Sequence, residues 1–390
     1  MDSDALLLRN PFVALAPTDD GYLAYDVTRN RLHRLNPSAA LIIELCDGTR
    51  SAASLVDDLA PLVGDARDGC MRWIEGAIQD DLLKPLAPGA SGPAAPDAGY
   101  FSSRASRLRS EGHVLAAFVC QHYATLQMVD AADQWAALGD LAHIIGRRED
   151  ARDAYERYLA LSPGDAEVEH LLVSLRGDPA PPRAPDECIV QLYARFAEFY
   201  ERNMVTDLEY CGPEVLGRAL HRALGATAQL DVLELGCGTG LAGPHLRTLA
   251  RRLIGIDLSP DMAKRASKTK CYDAVEVAEI TEWLGRGTGR DFDVVAACDT
   301  FIYFGDLRQV LIPAAGRLRH GGTLVFTVER GDTDTGSFRL TDSGRYVHGE
   351  SHIREAADAA GFEVVSAEST VLRYEYGDPV AGLVVVLRLT

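Results

Sequence analysis

The sequence predicts a multi-domain α/β protein whose C-terminal part is a mostly parallel sheet covered by helices on both faces. Three observations lead to this fold class. From Thr227 onward, short apolar runs alternate with helical stretches, which is typical of strand–helix–strand units. A glycine-rich turn follows the first of these runs, as expected where a buried strand ends near a ligand. Proline-rich and glycine-rich connectors divide the 390 residues, a length that suits two or three domains.

The composition excludes several classes of function. A formal net charge of −18 and a pI near 5.0 argue against general binding to nucleic-acid phosphates. No apolar run is long enough to cross a bilayer, and the start Met1-Asp-Ser-Asp lacks the basic residues of a signal peptide. The eight cysteines contain no C-x-x-C pair, so neither a metal site nor a disulfide framework is predicted. We therefore expect a cytoplasmic protein with no nucleic-acid or membrane partner.

Residues 1–86 form the first predicted unit. Turn residues separate three extended pieces, and Asn36-Pro37-Ser38 then marks the start of a helix. The extended pieces are Phe12–Ala16, Gly21–Asp26 and Arg31–Leu35. The helices that follow are predicted over Ala39–Leu45, Ser51–Leu59 and Ala66–Leu83.

This first unit resembles the PqqD family. The resemblance rests on the stretches Gly-Tyr-Leu-Ala-Tyr-Asp, Leu-His-Arg-Leu-Asn-Pro, Ile-Glu-Leu-Cys-Asp-Gly and Asp-Asp-Leu-Leu. It implies a winged-helix unit that binds the leader of a ribosomally made precursor peptide as an added strand at a sheet edge. The arginines that would then favour an acidic leader are Arg29, Arg31, Arg34, Arg67 and Arg72. A winged helix that acts only as a dimer or packing module is the alternative, and a homodimer is compatible with it.

A helical segment is predicted over residues 100–178. Gly112 and Ala117 recur in it as Gly146 and Ala151, a 34-residue spacing that resembles the tetratricopeptide repeat. Fewer than three good repeats are not expected to fold alone, so we expect this segment to pack on a neighbouring part of the chain. It would serve either as a structural spacer or as a peptide-binding surface.

The most informative stretch is Val232 to Gly240, which reads Val-Leu-Glu-Leu-Gly-Cys-Gly-Thr-Gly. An apolar strand runs into glycines at alternate positions, and a helix is predicted to follow from Leu241 to Leu249. Dinucleotide sites favour the order G-x-G-x-x-G, whereas here the order is G-x-G-x-G with Glu234 just before it. The next apolar strand ends on Asp257, where a carboxylate can hold the ribose hydroxyls of a nucleoside.

That glycine order resembles the first motif of class I S-adenosylmethionine-dependent methyltransferases, and the resemblance covers about residues 190–390. It implies a Rossmann-like fold with a seven-stranded mixed sheet, S-adenosyl-L-methionine as the cofactor and S-adenosyl-L-homocysteine as its product. Glu234 would lie near the cofactor's amino group, Met262 against the adenine, and Glu279 would accept a hydrogen bond from the adenine amino group. The residues expected to bind the cofactor are Tyr193, Tyr200, Glu234, Gly236, Cys237, Gly238, Gly240, Asp257, Leu258, Met262, Glu279, Ile280 and Asp299.

Strands and a lid complete the predicted C-terminal domain. An aromatic amphipathic helix over Asp186–Met204 resembles the helix that lies over the cofactor in methyltransferases; it carries Tyr193, Phe196, Phe199 and Tyr200. The predicted strands are Val232–Leu235, Leu253–Asp257, Ala274–Val277, Phe292–Ala297, Thr323–Val328, either Glu363–Ser366 or Arg373–Tyr376, and Leu383–Leu389.

Methyl transfer from a sulfonium needs positioning more than covalent help, and positioning can supply effective molarities of ~10⁵ M or more. A base is needed only if the methyl acceptor arrives protonated. The candidates at strand ends and in the loop after the fifth strand are Asp299, Tyr303, Glu329, Tyr346 and His348. His348 and Tyr303 are the predicted catalytic residues, with His348 as a base, and Asp299 is interpreted as a wall or cofactor residue.

The sequence thus predicts a methyltransferase that captures the leader of a precursor peptide on residues 1–86 and methylates a side chain of the core peptide. Tethering raises the local concentration of the substrate, so the catalytic pocket can bind its target weakly. The alternatives are a small-molecule methyltransferase with structural or dimerising N-terminal domains, and a binding protein without chemistry. The predicted domains are 1–86 (PqqD-like), 87–99 (flexible linker), 100–178 (tetratricopeptide-like) and 186–390 (methyltransferase with lid helix).

Overall fold

The computed structural model describes residues 5–63, 67–87, 89–197, 200–225, 227–287, 289–331, 337–375 and 377–390. The chain forms two compact units, Met1–Pro163 and Gly164–Thr390. This boundary falls inside the predicted helical segment 100–178 and not at either of its ends. The predicted residues Phe199 and Tyr376 lie outside the described residues. Across the described ranges, no helix has the length and apolar character needed to cross a membrane.

The first unit begins with two small antiparallel sheets and three helices. Its strands are β1 (Leu6–Arg9), β2 (Val13–Thr18), β3 (Gly21–Asp26), β4 (Arg31–Leu35), β5 (Asp47–Ser51) and β6 (Leu83–Leu86). Its first helices are α1 (Pro37–Leu45), α2 (Ala52–Val63) and α3 (Arg67–Gln79). The strand orders are β5-β1-β6 and β2-β3-β4. Leu7, Leu55 and Ile74 are fully buried in the core between these elements.

The predicted start of α1 is confirmed, because the side chain of Asn36 accepts a hydrogen bond from the backbone N–H of Ala39 at 2.8 Å. The sheet β5-β1-β6 was not predicted. The polar sequence Asp-Gly-Thr-Arg-Ser of β5 has the composition of a turn, and it becomes a strand by pairing with the distant β1.

Four helices complete the first unit: α4 (Ala98–Ser110), α5 (Val114–Gln127), α6 (Ala132–Ile144) and α7 (Arg148–Leu161). The recurring glycines lie in the turns of two helix pairs, with φ of 82° at Gly112 and 76° at Gly146. Gly139 lies against Tyr155, since a Cβ added at Gly139 would come within 2.5 Å of that ring. The 34-residue spacing therefore corresponds to two helix pairs, and the tetratricopeptide assignment stays a prediction.

The helices of the second unit are α8 (Ala166–Arg176), α9 (Asp186–Phe196), α10 (Tyr200–Arg202), α11 (Gly212–Leu224), α12 (Gly243–Arg247), α13 (Pro260–Ala266), α14 (Ile280–Arg286), α15 (Arg308–Arg317) and α16 (Glu350–Ala359). The strands are β7 (Leu230–Leu235), β8 (Ala250–Asp257), β9 (Ala274–Val277), β10 (Phe292–Ala297), β11 (Leu318–Arg330), β12 (Phe338–Leu340), β13 (Tyr346–His348), β14 (Phe362–Glu375) and β15 (Asp378–Leu389). The helix α12 is shorter than the predicted Leu241–Leu249. The single predicted lid helix is divided into α9 and α10, and a π-helical turn follows over Asn203–Asp207.

One mixed sheet organises this unit. Seven strands follow the order β14-β15-β11-β10-β7-β8-β9. The strands β7 to β11 are parallel to one another, and β15 is antiparallel to both β11 and β14. Of the two alternatives for the sixth strand, Glu363–Ser366 lies within β14, and the described part of Arg373–Tyr376 forms the end of the same strand. The predicted count of seven strands was wrong, because the described residues place nine strands in this sheet. The extra β12–β13 hairpin pairs with the last residues of β11, and strands of three residues are too short to show a period in the sequence.

Candidate active site

A cleft opens at the carboxyl ends of the parallel strands and contains about 620 Å³ of empty space, part of which is open to solvent. Its lining residues are Arg183, Ile189, Tyr193, Tyr200, Gly236, Gly238, Asp257, Leu258, Met262, Glu279, Ile280, Cys298, Asp299, Thr300, Tyr303 and Phe304. A second cleft of about 280 Å³ shares Tyr200, Gly236, Gly238 and Cys298 with it. Glu234 and Cys237 line this smaller cleft. Of the predicted cofactor residues, Gly240 is not among the described lining residues of either.

The glycine turn after β7 is fixed by its neighbours. Gly236 has φ of 68°, and a Cβ added there would lie 2.3 Å from Oγ1 of Thr300. The backbone N–H of Gly236 donates to the carbonyl of Ile256 at 2.8 Å, and that of Gly238 donates to Oδ2 of Asp257 at 2.8 Å. Only glycine combines this left-handed backbone with so close an approach. The turn and the acid predicted from the sequence therefore form one hydrogen-bonded structure.

Asp257 ends β8 and lies at the floor of the larger cleft. Its Oδ1 accepts a hydrogen bond from the backbone N–H of Ser259 at 2.8 Å. Burial raises the pKa of Asp257 to about 6, and the hydrogen bonds from Ser259 and Gly238 oppose that rise. Each carboxylate oxygen has a further lone pair, so the pair can accept two hydroxyl hydrogens from a ribose.

Glu234 and Thr239 bring polar atoms to the smaller cleft. Glu234 is 2% exposed, and its Oε2 accepts a hydrogen bond from the Tyr272 hydroxyl at 2.7 Å. Burial raises the pKa of Glu234 to about 8. The hydroxyl of Thr239 is buried and has no hydrogen-bond partner within the described part of the chain. A buried hydroxyl without a partner is costly in a folded protein, which favours a polar ligand at this position.

Part of the lining of the larger cleft is apolar and includes the carboxylate of Glu279. Leu258, Met262 and Ile280 supply the apolar surface. Glu279 precedes α14, where its Oε2 accepts hydrogen bonds from the Glu282 backbone N–H at 2.7 Å and from Thr281 Oγ1 at 2.6 Å. Burial alone would raise the pKa of Glu279, but these hydrogen bonds and the charge of Arg183 lower it overall. An ionised acceptor beside an apolar wall suits a purine that carries an amino group.

Three tyrosines form the remaining wall. The hydroxyls of Tyr193 and Tyr303 lie 2.8 Å apart, and the rings of Tyr193 and Tyr200 have centroids 5.9 Å apart. Burial raises the pKa of all three phenols, so they stay neutral near pH 7. Neutral hydroxyls can donate a hydrogen bond or accept one without carrying charge into the cleft.

Asp299 follows β10 and also faces the larger cleft. Its φ of 49° is unusual for a residue with a side chain. Its Oδ1 accepts from Thr327 Oγ1 at 2.7 Å, and its Oδ2 accepts from Arg373 at 3.0 Å. Burial raises the pKa of Asp299, and Arg373 and Thr327 oppose that rise. The carboxylate is therefore held in place by its neighbours, while the strained backbone points to a functional constraint.

Two other candidates from the sequence, Glu329 and Tyr346, are not among the described residues that line the cleft. Glu329 is 6% exposed and forms ion pairs with Arg345 and Arg373. The hydroxyl of Tyr346 donates to the carbonyl of Pro181 at 2.7 Å. Both side chains thus have structural partners outside the described lining of the cleft.

The structure also places His348 apart from the described lining of the cleft. Its ring is fully buried, its Nε2 donates to the carbonyl of Phe304 at 2.7 Å, and it stacks on His352 with ring centroids 5.9 Å apart. Burial lowers the pKa of His348 to about 4. The ring is buried outside the described lining of the cleft and weakly basic, which argues against the expected role of His348 as a base. Its position on β13, which did not appear in the predicted sheet, explains the difference.

Several lining residues were missed by the sequence analysis, namely Arg183, Ile189, Cys298, Thr300 and Phe304. Cys298, Thr300 and Phe304 flank the predicted Asp299 and Tyr303, so the signal of a strand end could have included them. Arg183 lies in the proline-rich stretch of residues 179–185, which the composition marks only as a connector. Its sequence context carries no signal of a binding site.

Comparisons with known proteins bear on both units. A family model described as a methyltransferase domain matches residues 233–324. A model described as coenzyme PQQ synthesis protein D (PqqD) matches residues 21–80. The chain is 28% identical over 141 residues to demethylmenaquinone methyltransferase of Tropheryma whipplei (strain Twist), which covers 35% of this chain and 57% of the relative. The matched region thus spans about 57% of the length of that curated relative.

Two solved structures are similar to part of the chain. One is 1,6-didemethyltoxoflavin-N1-methyltransferase of Burkholderia thailandensis with 1,6-didemethyltoxoflavin and S-adenosylhomocysteine bound; it is 23% identical, covers 54% of this chain and 93% of its own, and has a TM-score of 0.43. The other is magnesium protoporphyrin IX methyltransferase of Synechocystis PCC 6803 with bound SAM; it is 16% identical, covers 53% and 98%, and has a TM-score of 0.40.

The clefts fit S-adenosylmethionine on their own geometry. Glu234 and the unpartnered Thr239 hydroxyl can hold the amino-acid part, Asp257 the ribose, and Met262 with Glu279 the adenine. The glycine turn leaves room where a Cβ at Gly236 would collide with Thr300. S-adenosylmethionine is accordingly the cofactor of this domain. The chain carries a methyltransferase domain, matched over residues 233–324, together with a PqqD-like segment, matched over residues 21–80.

Proposed function

We propose that this protein methylates a side chain of a ribosomally made precursor peptide and that residues 1–86 bind the leader of that peptide. The observation that carries the proposal is the presence, in one chain, of a PqqD-like segment and a methyltransferase cleft. A leader held on one unit raises the local concentration of the core peptide for the other unit. A weak, shallow binding site for the methylated residue is then sufficient.

The sheet β2-β3-β4 has one edge suited to an added strand. At the other edge, α5 contacts β2, where a ring nitrogen of His122 lies 3.3 Å from the carbonyl of Leu15. Within the described residues, β4 pairs with β3 alone. Leu32 on β4 is 37% exposed, so an apolar side chain is accessible at this edge. These features support peptide binding along β4 by backbone hydrogen bonds.

The arginines of this unit contribute less positive charge for binding an acidic leader than the sequence predicts. Arg31 forms an ion pair with Asp80 at 3.0 Å, Arg29 with Asp81 at 3.7 Å, and Arg67 pairs with Asp57. Acids of the same unit thus balance most of the arginines that would favour an acidic leader. We therefore propose that the leader is recognised mainly through the β4 edge and the apolar Leu32.

At the catalytic cleft, the chain's own residues provide orientation and exclude water. The bound cofactor supplies an electrophilic methyl group on a sulfonium. Tyr193 and Tyr200 cover the cleft from the lid helices, and their rings exclude water from it. Asp299 and Tyr303 stand on the wall next to the lid, where each can accept a hydrogen bond from an N–H or O–H of the methyl acceptor.

The test combines the full-length protein with S-adenosylmethionine and a precursor peptide encoded beside its gene, with methylation followed by mass spectrometry. The variant Leu32→Asp places a charge on the β4 edge and is expected to lower methylation at limiting peptide at least tenfold. Leu126→Asp is the matched control, since Leu126 is 58% exposed in α5 of the same unit. Equal methylation by the Leu32→Asp variant and the control would contradict leader binding at this edge.

A small-molecule methyltransferase is the second candidate, and the similarity to demethylmenaquinone methyltransferase favours it. Under this alternative, the N-terminal unit has a structural or dimerising role. Methylation of a small quinol, with no methylation of the precursor peptide, would support it. Dependence of methylation on the leader sequence would exclude it.

A further inference from the structure

The connector of residues 179–185 forms part of the wall of the larger cleft. The backbone N–H of Gly305 donates to the carbonyl of Pro182 at 2.9 Å, and Arg183 pairs with Phe304 as a single antiparallel bridge. Proline has no N–H, so Pro182 takes part through its carbonyl alone. The connector thus behaves as a short added strand along the turn after β10, and this fixes the backbone of Arg183 beside the cleft.

The side chain of Arg183 joins two elements on opposite sides of the adenine end. Its guanidinium donates to Oδ1 of Asp186 at 2.7 Å and to Oε1 of Glu279 at 3.2 Å. Asp186 is the first residue of the lid helix α9, and Glu279 is the residue just before α14. One guanidinium therefore links the lid to the end of the cleft that suits adenine. Both hydrogen bonds come from the same nitrogen, Nη1, whose two hydrogens can each reach one carboxylate.

Arg183 also determines which atom of Glu279 is available to a ligand. Oε2 is already used by Thr281 and by the backbone N–H of Glu282, so it cannot turn toward the cleft without losing both hydrogen bonds. Oε1 accepts a hydrogen bond from Arg183 and keeps a second lone pair, so Oε1 is the oxygen available to a ligand. Glu279 is 7% exposed, and hydrogen bonds from Thr281 and Glu282, together with the charge of Arg183, lower its pKa against the effect of burial. Arg183 therefore contacts an ionised carboxylate and restricts its orientation.

We propose that Arg183 is a positioning residue for the cofactor, which orients Oε1 of Glu279 toward the adenine and holds α9 over the cleft. This inference rests on the S-adenosylmethionine-dependent function proposed above. The flat guanidinium also lines the cleft near Met262 and Ile280, where it can lie against a purine ring. The effect of Arg183 is thus on the adenosine half of the ligand.

The experiment measures, by isothermal titration, the affinity of the full chain for S-adenosylhomocysteine and for 5′-methylthioadenosine, which lacks the amino-acid half. Arg183→Gln is expected to weaken both by about tenfold and by the same factor, because both ligands contain adenosine. Arg183→Lys keeps the charge but not the flat guanidinium, so an intermediate loss is expected. Arg308→Gln is the control, because Arg308 is an exposed arginine that also pairs with an aspartate, Asp306. Its affinities should stay within twofold of the parent values.

The double variant Arg183→Gln/Glu279→Gln separates positioning from a general loss of structure. If Arg183 acts through Glu279, the double variant binds about as weakly as the weaker single variant. If the losses in affinity of the two single variants multiply in the double variant, the proposal is overturned. An Arg183→Gln variant that binds both ligands with the affinity of the parent protein also overturns it. If Arg183→Gln does not fold, the affinities of Arg183→Lys and Asp186→Asn for the same two ligands are measured instead. Parent-like affinity in both variants then overturns the proposal. A parent protein that binds neither ligand refutes the proposed function itself, which is a distinct outcome.

Discussion

The hydroxyl oxygens of Tyr193 and Tyr303 lie 2.8 Å apart and connect the lid helix α9 to the turn after β10. Both phenols are neutral, because burial raises the pKa of each. Their hydrogen bond closes one side of the cleft between two segments that are distant in the sequence. The tyrosine pair and Arg183 therefore both hold the lid against the cleft, while Arg195 joins α9 to the start of α8.

Removing one hydroxyl of the tyrosine pair should loosen the lid. Tyr303→Phe keeps the ring but leaves the Tyr193 hydroxyl without its partner, and a lost neutral hydrogen bond costs about 0.5–1.5 kcal/mol. We expect S-adenosylhomocysteine to bind roughly two- to tenfold more weakly, as measured by isothermal titration. Tyr374→Phe, at a position 38% exposed, should not alter binding. An unchanged affinity in Tyr303→Phe would mean that the pair does not hold the lid.

Binding of the adenosine half should depend on pH through Asp257. Burial raises the pKa of this carboxyl to about 6, so its ionised form, which accepts the ribose hydroxyls, is lost as the pH falls below 6. We expect the affinity for 5′-methylthioadenosine to be constant between pH 7 and 8 and to fall by up to about tenfold per pH unit below 6. Titrations in Asp257→Asn should show weaker binding that does not vary over this range. The same acid-side decline in that variant would assign the dependence to another group.

The buried charges behind Asp299 should be important for stability. Arg373, with a side chain 4% exposed, pairs with Asp299, Glu329 and Glu375. Arg373→Met leaves the buried Asp299 without its arginine and Glu329 with Arg345 alone, and the loss of one partner from a buried ion pair costs about 3–5 kcal/mol. Urea unfolding should show this decrease, whereas Arg222→Met, which removes an exposed ion pair with Glu368, should cost less than about 1 kcal/mol. Equal effects of the two changes would show that the Arg373 cluster does not stabilise the sheet edge.

The helix pair α6–α7 should not tolerate a methyl group at Gly139. In most helices, replacing glycine by alanine is stabilising by about 0.5–1 kcal/mol. At Gly139, the added Cβ would lie 2.5 Å from the Tyr155 ring, and we expect a net loss of about 1–3 kcal/mol in the free energy of unfolding. Gly76→Ala in α3, where a Cβ meets no atom within 4 Å, should be neutral or stabilising. A stabilising Gly139→Ala would show that the two helices can move apart at no cost.

Local patterns were sufficient for much of the fold. The alternation of apolar runs and helices predicts the parallel strands β7 to β11, and the Asn36-Pro37 sequence predicts the start of α1. These features depend on burial on both faces of a sheet and on capping, which act within a few residues. The strands β1, β5 and β6 were missed, because each is short and the three form a sheet by pairing between segments distant in the sequence. The three-residue strands β12 and β13 were missed as well; they form a hairpin that joins the sheet through β11.

The sequence by itself determined the chemistry of the cofactor cleft: the glycines of the turn, Glu234 before it and Asp257 at the end of the next strand. Adjacent parallel strands bring such residues together because their carboxyl ends meet at one edge of the sheet. Only the tertiary structure decided which other side chains face the cleft. It brought Arg183 there from the proline-rich connector and placed His348 in the core beside His352. The reason is physical: the direction of a side chain outside regular periodic elements depends on long-range backbone pairing, which no local pattern encodes.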